Sequence, residues 1–555
     1  MKRVLKYLML FILLAFAAMA GYFFLDDLLG TKGNRAILAY VPDDFVYAIE
    51  SDRPIPDWQE LSKSKVWKYL KRNDYFADIT SSADQLDSLL STNQLLVRLI
   101  RLGDMVISAH MISPQDYDFV FLVDLRGASK VKKAQVLLIS LFKSMQYEVS
   151  SDKLLQVDIL NLTDPETKET LSLAIVDNIL IGSYDRKLLQ KALLQSNNPS
   201  IATYPDFTLV RDKTGRSGIY NLYLNYSVMD RFLKAYTSEI PDMLEGIEQI
   251  LTFSGFDLKV EDEQVVLSGY TKQADSVASF LGVFKDVGQG RVLADEILPL
   301  NTAMFTSLGF GKFSDFHDRL MLHYQRVSPL EYEDLNKRKR QTEKLLKIDF
   351  REDFFSWMED EIVTAIVPAN EAGTKYWYYA MLHYDDYDLA RKKLDAVAEQ
   401  VRKRSPVKFK TVDYKGFDIQ YLELKGFFKL FFKKMFDRIE KPHYAFIGDY
   451  VVFSNDTTSL QYLIDGVISD KVLRTDVPFQ DFLDRFDNKS NIFTYINNQH
   501  LYSYIYATLD AESRVSLAKN KNYLMSFPRM GFQLSPTGNM YKTTFYSEFE
   551  AKEER

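Results

Sequence analysis

The sequence predicts an α+β fold: an N-terminal transmembrane helix, then two homologous domains with mainly antiparallel sheets and helices packed on them. Three observations predict it. Residues 4–25 are almost wholly apolar, the landmarks of residues 36–271 recur in order over 295–547, and short strand patterns alternate with helical ones in both copies. Because a single core stops growing at roughly 250 to 300 residues, a chain of 555 residues needs more than one core.

The first element is a hydrophobic run that follows Lys2 and Arg3. Residues 7–25 carry no charge, and the run counted from Val4 is long enough to span a bilayer core of roughly 30 Å. Basic residues before the run and two aspartates after it predict a single-pass protein of the bacterial inner membrane, with a cytoplasmic N-terminus and a periplasmic body. Ala18-Met19-Ala20 fits a signal-peptidase site, so a cleaved signal peptide is the alternative, but the apolar residues beyond it favour an uncleaved signal anchor.

Composition narrows the class of protein. The chain has no cysteine, which excludes disulfides, thiol nucleophiles, zinc thiolate sites and a lipoprotein anchor. A cysteine-free exported body rich in Tyr, Phe, Lys and Asn suits the periplasm of a Gram-negative bacterium. The chain has a net charge of -7 and no dominant basic segment, so no nucleic-acid partner is expected.

The internal duplication sets the predicted boundaries. An apolar run into Pro42 recurs before Pro299, and the Gly-Phe strand at Gly255 recurs at Gly531. The predicted parts are the anchor (1–30), the first repeat (31–271), a linker (272–294), the second repeat (295–547) and a charged C-terminal tail (548–555).

Each repeat is predicted to begin with a strand, then helices, then a second strand. The first strands follow the proline, where β-branched and aromatic residues dominate, and the helices carry leucines at helical spacing. The first strands are 43–49 and 301–308. The helices are 57–70 and 83–100 in the first copy and 313–326 and 329–347 in the second. The second strands are 104–109 and 361–365.

The rest of each repeat has the order of a split βαβ module with an antiparallel sheet. Asp-Asn or Gly-Asp between two short apolar strands predicts a hairpin, since these residues tolerate positive φ. Asn225 and Asn497 are predicted helix N-caps. The predicted strands are 118–123, 154–160, 376–381 and 417–422. The predicted hairpins are 174–183, 255–271, 445–454 and 531–547. The predicted helices are 128–145, 185–195, 226–236, 387–401, 458–468 and 498–509.

Several of these motifs together resemble a known family. They are the apolar opening into proline, Asp57-Trp58, Val66-Trp67, the Gly103-Asp104 strand and the Asp177-Asn178 hairpin. This combination resembles the bacterial domain-of-unknown-function family 3352, and the resemblance covers most of the chain after residue 35. It implies a membrane-anchored envelope protein, and it supplies no catalytic residues that could be carried over.

Motifs for catalysis are weak. The six histidines form no His-Glu-x-x-His pair, and none is matched by a histidine in the other repeat. Ser62-x-x-Lys65 and Ser140-x-x-Lys143 have the spacing of some acyl enzymes but lack the partner motifs. Asp43-Asp44 and Asp385-Asp386 could coordinate calcium, although solvated loop carboxylates are the simpler interpretation. No catalytic residue, cofactor or metal site is predicted, and the sequence leans away from an enzyme.

One insertion, residues 425–439, distinguishes the second repeat from the first. On a helical projection its phenylalanines share a broad face, with lysines mainly opposite or at its edges. Three interpretations stay open: an interfacial helix on anionic lipid, a helix packed on its own domain, and a groove or lid for an apolar ligand. The predicted membrane or apolar-ligand contacts are Phe427, Phe428, Phe431, Phe432, Lys433 and Met435.

These observations predict a membrane-anchored periplasmic protein with a non-catalytic scaffold or binding role. Its expected partners are the inner membrane, through residues 4–25, and an envelope protein or lipid. The alternatives are a carrier of lipid or another apolar ligand, and an envelope hydrolase with a site between the repeats.

Overall fold

The computed structural model describes residues 37–72, 103–114, 116–125, 139, 147–165, 167–234, 247–275, 279–404, 411–421, 436, 438–440 and 442–551. The chain divides into two compact units, Met1–Asp275 and Ser276–Arg555. In both units the described strands pair in antiparallel fashion and alternate with helices. The prediction of an α+β fold with antiparallel sheets is therefore confirmed.

The first unit contains ten described strands. They are β1 (Tyr47–Ser51), β2 (Met105–Ser113), β3 (Asp116–Asp124), β4 (Glu148–Leu154), β5 (Val157–Thr163), β6 (Thr170–Val176), β7 (Ile179–Ser183), β8 (Tyr220–Asn225), β9 (Leu251–Val260) and β10 (Gln264–Gln273). Their hydrogen-bonded order is β4-β5-β6-β7-β3-β2-β1-β8-β9-β10. β1 therefore lies in the middle of the sheet, between β2 and β8.

Helices of the first unit pack on both faces of this sheet: Phe207 contacts Tyr223 on one face, and Phe232 contacts Tyr47 on the other. They are a 3-10 helix (Ile37–Tyr40), α1 (Pro54–Lys63), α2 (Lys65–Leu70), α3 (Arg186–Gln195), α4 (Pro205–Lys213), α5 (Met229–Lys234) and α6 (Ile247–Ile250). α3 packs on β3 and β7, and α4 packs on β9 and β10. The buried residues of α4 are Phe207 and Val210, and the Phe207 ring lies 5.2 Å from that of Tyr223 on β8.

The second unit contains ten described strands in the same order. They are β11 (Met304–Gly309), β12 (Glu361–Pro368), β13 (Tyr376–His383), β14 (Val412–Tyr414), β15 (Phe417–Tyr421), β16 (His443–Ile447), β17 (Tyr450–Ser454), β18 (Ile492–Asn497), β19 (Arg529–Thr537) and β20 (Met540–Glu548). Hydrogen bonding follows the order β14-β15-β16-β17-β13-β12-β11-β18-β19-β20. Strand by strand, this is the order of the first unit.

The helices of the second unit are longer. They are α7 (Phe313–Val327), α8 (Pro329–Leu346), α9 (Tyr387–Arg404), α10 (Thr457–Ile468), α11 (Val477–Leu483), α12 (Asn498–Thr508), α13 (Ala511–Lys519) and α14 (Lys521–Met525). Among its buried residues α7 carries Phe313, Phe316 and Leu320, at the i, i+3, i+7 spacing of one helix face. The predicted helices 313–326 and 329–347 correspond to α7 and α8 within one residue at each end.

An aromatic core holds the helices of the second unit to its sheet. The rings of Phe310 and Phe316 stack with centroids 4.6 Å apart, and Trp357 is buried in the same cluster. Val283, Phe284 and Val287 belong to this core as well, although the sequence predicted a linker over residues 272–294. Burying each such side chain stabilises the fold by roughly 1.5 to 3 kcal/mol.

Helix caps and hairpin turns follow the prediction closely. The side chain of Asn225 accepts a hydrogen bond from Ser227 N, and that of Asn497 accepts from Gln499 N and His500 N. Both asparagines are therefore confirmed as N-caps. The two hairpin turns place Asp177 at φ 54° and Gly448 at φ 55°, the left-handed conformation that those turns require.

One predicted strand, 154–160, is wrong. β4 ends at Leu154 and β5 begins at Val157, with Leu155 and Gln156 forming the turn at φ 52° and 66°. No Gly, Asn or Asp marks this turn, and the alternation of apolar and polar residues continues through it, so the sequence shows only a strand pattern.

Several predictions lie outside the described residues. They are the membrane span 4–25, the helix 83–100 and almost all of the helix 128–145. Within the described residues, no helix is long and apolar enough to cross a membrane.

Candidate functional site

The described part of the first unit contains an open cleft of about 660 Å³. It lies beside the turn that leads into β1, the start of α4 and the end of β8. The lining residues are Asp43, Asp44, Tyr204, Pro205, Asp206, Asn225, Ser227, Leu251, Thr252 and Phe253. Three carboxylates share the cleft with apolar side chains, which is the composition of a small-molecule site.

Asp43 is the most accessible carboxylate of the cleft. Its Oδ2 accepts a hydrogen bond of 2.9 Å from the Tyr204 hydroxyl, and its backbone carbonyl accepts one of 3.1 Å from Asn225 Nδ2. The N-cap asparagine thus also fixes the turn that presents Asp43. No lysine or arginine of the described residues forms an ion pair with Asp43, so its charge is available to a ligand.

Asp44, the next residue, faces inward. Its Oδ1 lies 3.2 Å from Nδ1 of the buried His110, and its Oδ2 pairs with Lys191 on α3. Burial alone would raise the pKa of Asp44, but the hydrogen bonds from His110 and Lys191 outweigh burial and hold the pKa well below its usual range. Asp44 is therefore ionised at neutral pH and already neutralised within the unit.

His110 completes a serine, histidine and aspartate arrangement. Burial lowers the pKa of His110 and outweighs the opposing effect of Asp44, so the ring is neutral at pH 7. With Nδ1–H donated to Asp44, Nε2 accepts from the Ser108 hydroxyl at 2.8 Å. These are the contacts of a nucleophilic triad. However, Ser108 and His110 are both 0% exposed, so no substrate can reach the serine oxygen in this conformation.

The register of the two sheets shows that this arrangement is confined to the first unit. Ala109 pairs with Tyr47 on β1, and the corresponding pair in the second unit is Ile366 and Met304 on β11. The positions of Ser108 and His110 are thereby taken by Ala365 and Val367. The sequence showed no histidine opposite His110, and the structure agrees.

The far side of the cleft is apolar and rests on a buried lysine. Leu251 and Phe253 of β9 form its floor. Behind Asp206, Lys272 is 1% exposed and donates to Asp275 Oδ1 at 2.6 Å, with Asp206 Oδ1 at 3.8 Å. The charges of Asp206 and Asp275 thus hold Lys272 in place, which leaves Asp43 as the least compensated carboxylate.

The second unit has a separate cluster of titratable side chains at the start of β12. Glu361, 1% exposed, accepts hydrogen bonds from Ser307, from Tyr450 and, at 3.2 Å, from Leu293 N. Burial raises the pKa of Glu361 to about 7, although the hydrogen bonds oppose it. These hydrogen bonds join β12 to β11, to β17 and to Leu293, so we expect this carboxyl to act in stability.

His383 lies beside Glu361 on β13. Its Nδ1 is 2.9 Å from Asp360 Oδ1. Burial would lower the pKa of His383, but Asp360 and Glu361 outweigh it, and the pKa is raised. In the described part of the chain, no group of three or more His, Asp or Glu side chains has an arrangement that could hold a metal ion.

The predicted apolar contacts lie outside the described residues. These are Phe427, Phe428, Phe431, Phe432, Lys433 and Met435. At the end of the same insertion, Phe436 and Ile439 are buried in the core of the second unit. Arg438 is exposed and lies over the rings of Tyr378 and Tyr504, at 4.9 and 5.5 Å.

The sequence pointed to Asp43 and Asp44 as a pair of carboxylates and to His110 only as one of six histidines, and it did not bring them together. Asp44 and His110 are 66 residues apart, and only the pairing of β1 with β2 makes them neighbours. Ser108 was not singled out at all. The available signal was its i, i+2 spacing to His110 on one strand, which places both side chains on the same face of the sheet.

Comparison with known proteins gives a family and little more. No curated protein matches the chain. A solved structure titled "Structure of crystal form III of TP0453" is similar over 45% of this chain and 85% of that one, with 12% identity and a TM-score of 0.26, which is too low to carry any argument. The family model described as "Protein of unknown function (DUF3352)" matches residues 127–405, half of the chain. The chain therefore belongs to the DUF3352 family, as its motifs indicated.

Proposed function

We propose that this chain is a non-catalytic binding protein of the bacterial cell envelope, and that the cleft of the first unit binds a small organic cation. The observation that carries the proposal is the carboxylate of Asp43, which has no cationic partner among the described residues and faces an apolar floor in an open cleft of about 660 Å³. A ligand with an ammonium group and a hydrocarbon or aromatic body satisfies both features.

The envelope location is supported by the sequence. The uncharged run within residues 4–25, with basic residues before it and aspartates after it, favours a single-pass anchor in the inner membrane and two homologous domains in the periplasm. An anchored binding domain would keep its ligand, or a partner protein, at the membrane surface.

The cleft is tested with three probes of one shape and different charge. We expect 2-phenylethylamine to bind the protein more tightly than 2-phenylethanol and 3-phenylpropionate, measured by titration calorimetry at low salt. Asp43→Asn should weaken amine binding roughly threefold, the effect of an exposed ion pair. Asp158→Asn, at an exposed surface pair with Lys153, is the matched control and should change nothing. Equal binding of the amine and the alcohol would contradict the proposal.

The serine, histidine and aspartate geometry favours a hydrolase as the second candidate. Because Ser108 and His110 have no exposed surface, we expect a fluorophosphonate probe to leave Ser108 unlabelled after prolonged incubation. Labelling is measured by mass spectrometry of the peptide that contains Ser108. Labelling that disappears in His110→Gln would favour the hydrolase and count against a purely binding role.

A further inference from the structure

α8 of the second unit carries a polar groove of about 520 Å³ along one side. Its lining residues in the described chain all belong to this helix and recur at helical spacing. They are Tyr332, Glu333, Asn336, Lys337, Arg340, Gln341 and Lys344. Of the 18 residues of α8 only Leu335 and Leu346 are buried, so most of the helix faces away from the core.

Three of the lining residues are cations without a partner. Within the described residues, the side chains of Lys337, Arg340 and Lys344 make no ion pair, hydrogen bond or ring contact. Their i, i+3, i+7 spacing aligns them over about 10 Å of the helix. Glu333 is the single acidic residue of the groove, so the groove carries an uncompensated positive charge.

The neighbouring cations of the same helix are engaged. Arg338 pairs with Asp334 at 2.7 Å, and Lys339 lies 5.7 Å from the ring centre of Phe355. At 100° per residue, both side chains point more than about 100° away from the mean direction of Lys337, Arg340 and Lys344. The free charge is therefore concentrated on the groove side and not spread over the basic run 337–340.

The polar residues of the groove favour a peptide over other anions. Asn336 and Gln341 each offer an amide that donates and accepts, as a peptide backbone does, whereas a phosphate can only accept. In an extended peptide, side chains on one face repeat about every 7 Å. The three cations rise about 4.5 and 6 Å apart along the helix, and their long side chains can spread to reach carboxylates at that repeat. Glu333 would repel a continuous polyanion but can accept a hydrogen bond from a peptide amide.

We propose that the α8 groove docks an acidic segment of a partner protein in extended conformation. Lys337, Arg340 and Lys344 pair with its carboxylates, and Asn336 and Gln341 bond its backbone. This groove is a separate site from the cleft in the first unit. We expect substitutions in the groove to leave the binding of amine probes in the cleft unchanged.

The test is fluorescence anisotropy at low salt with the full chain and a fluorescein-labelled eight-residue peptide of alternating Glu and Ser. We expect Arg340→Ser to weaken binding about threefold and the triple change of Lys337, Arg340 and Lys344 to serine to weaken it at least tenfold. Arg338→Ser is the matched control, since it removes the same charge two residues away. It should leave the affinity unchanged.

Two results would overturn the proposal. Equal weakening in Arg340→Ser and Arg338→Ser would mean that only the overall charge of the helix matters. Displacement of the peptide by tripolyphosphate, at a concentration no higher than that of unlabelled peptide, would mean that the groove binds polyanions without recognising a peptide. Because all the substituted side chains are exposed, far-ultraviolet circular dichroism should show an unchanged fold in every variant.

Discussion

Replacing Glu361 by glutamine is expected to remove one contribution to the stability of the second unit, a contribution that falls by about 3 kcal/mol between pH 4.5 and pH 7. The ordinary pKa of this carboxyl is 4.5, and burial raises it to about 7. The folded state therefore holds a proton that the unfolded state releases, so stability present below pH 4.5 is lost as the pH rises through 7. At about 1.4 kcal/mol for each pKa unit, the loss amounts to about 3 kcal/mol.

Glutamine is the informative replacement because it can keep all three hydrogen bonds of the site. Its carbonyl takes the place of Oε2, which accepts from Leu293 N and from Tyr450. Its NH2 group takes the place of Oε1 and donates to the Ser307 hydroxyl, whose orientation reverses. The variant therefore removes the titratable carboxyl and keeps the packing around residue 361.

The measurement is urea unfolding of the full chain at pH values from 4.5 to 8. The four tryptophans of the chain are Trp58 and Trp67 in the first unit and Trp357 and Trp377 in the second. In a background with Trp58→Phe and Trp67→Phe, fluorescence follows the second unit alone. Glu371→Gln, at an exposed glutamate, is the control. If the unfolding midpoint of Glu361→Gln changed with pH between 4.5 and 6.5 in the same way as that of the parent, Glu361 would not be the group responsible.

The contribution of His383 to stability must be distinguished from that of Glu361, because both contributions fall as the pH rises. Its pKa is raised in the folded state, so its stabilising contribution is complete below pH 6.5 and is lost as the pH rises through the folded value. The pH window of His383 begins at pH 6.5, slightly below the pH of about 7 at which that of Glu361 ends. A fall in stability that persists only above pH 6.5 in Glu361→Gln is therefore assigned to His383 and its partner Asp360.

What the sequence predicted well depends on local chemistry. Asn225 and Asn497 cap their helices because an asparagine side chain can reach the free N–H groups of its own first turn, wherever the helix lies. The turn at Asp177 requires a positive φ that the residue itself tolerates. Such features need no knowledge of the rest of the chain.

What the sequence could not predict depends on strand register. Asp44 and His110 are 66 residues apart, and they meet because β1 pairs with β2. Glu361 and Tyr450 are 89 residues apart, and they meet because β12 and β17 both pair with β13. A shift of one residue in the register of these strands would turn their side chains to the opposite face. Residues 283–287 were predicted within a linker because of nearby glycines, yet Val283, Phe284 and Val287 fill the core of the second unit. Their apolar character was visible in the sequence, but not the cavity they fill.

Replacing His317 by phenylalanine is expected to remove a contribution to stability that has the opposite pH dependence to that of Glu361. The contribution of His317 falls by about 3 kcal/mol as the pH decreases from 6.5 to about 4. His317 lies on α7 with its ring 4.5 Å from that of Phe355, and its Nε2 is buried with no hydrogen-bond partner in the described structure. Burial lowers the pKa of His317 from 6.5 to about 4, and nearby Lys339 adds to the effect. Stability present above pH 6.5 is therefore lost as the pH falls toward 4.

Between pH 4.5 and 6.5 the effects of Glu361 and His317 oppose each other, so the parent protein should show only a weak dependence on pH there. Glu361→Gln leaves His317 acting alone, and the unfolding midpoint should then rise with pH. His317→Phe leaves Glu361 acting alone, and the midpoint should fall with pH. His443→Phe, which removes a half-buried histidine of the same unit, is the control for His317→Phe. If both variants kept the slope of the parent, neither buried group would titrate as its surroundings dictate, and the cause would have to be sought among the exposed carboxylates.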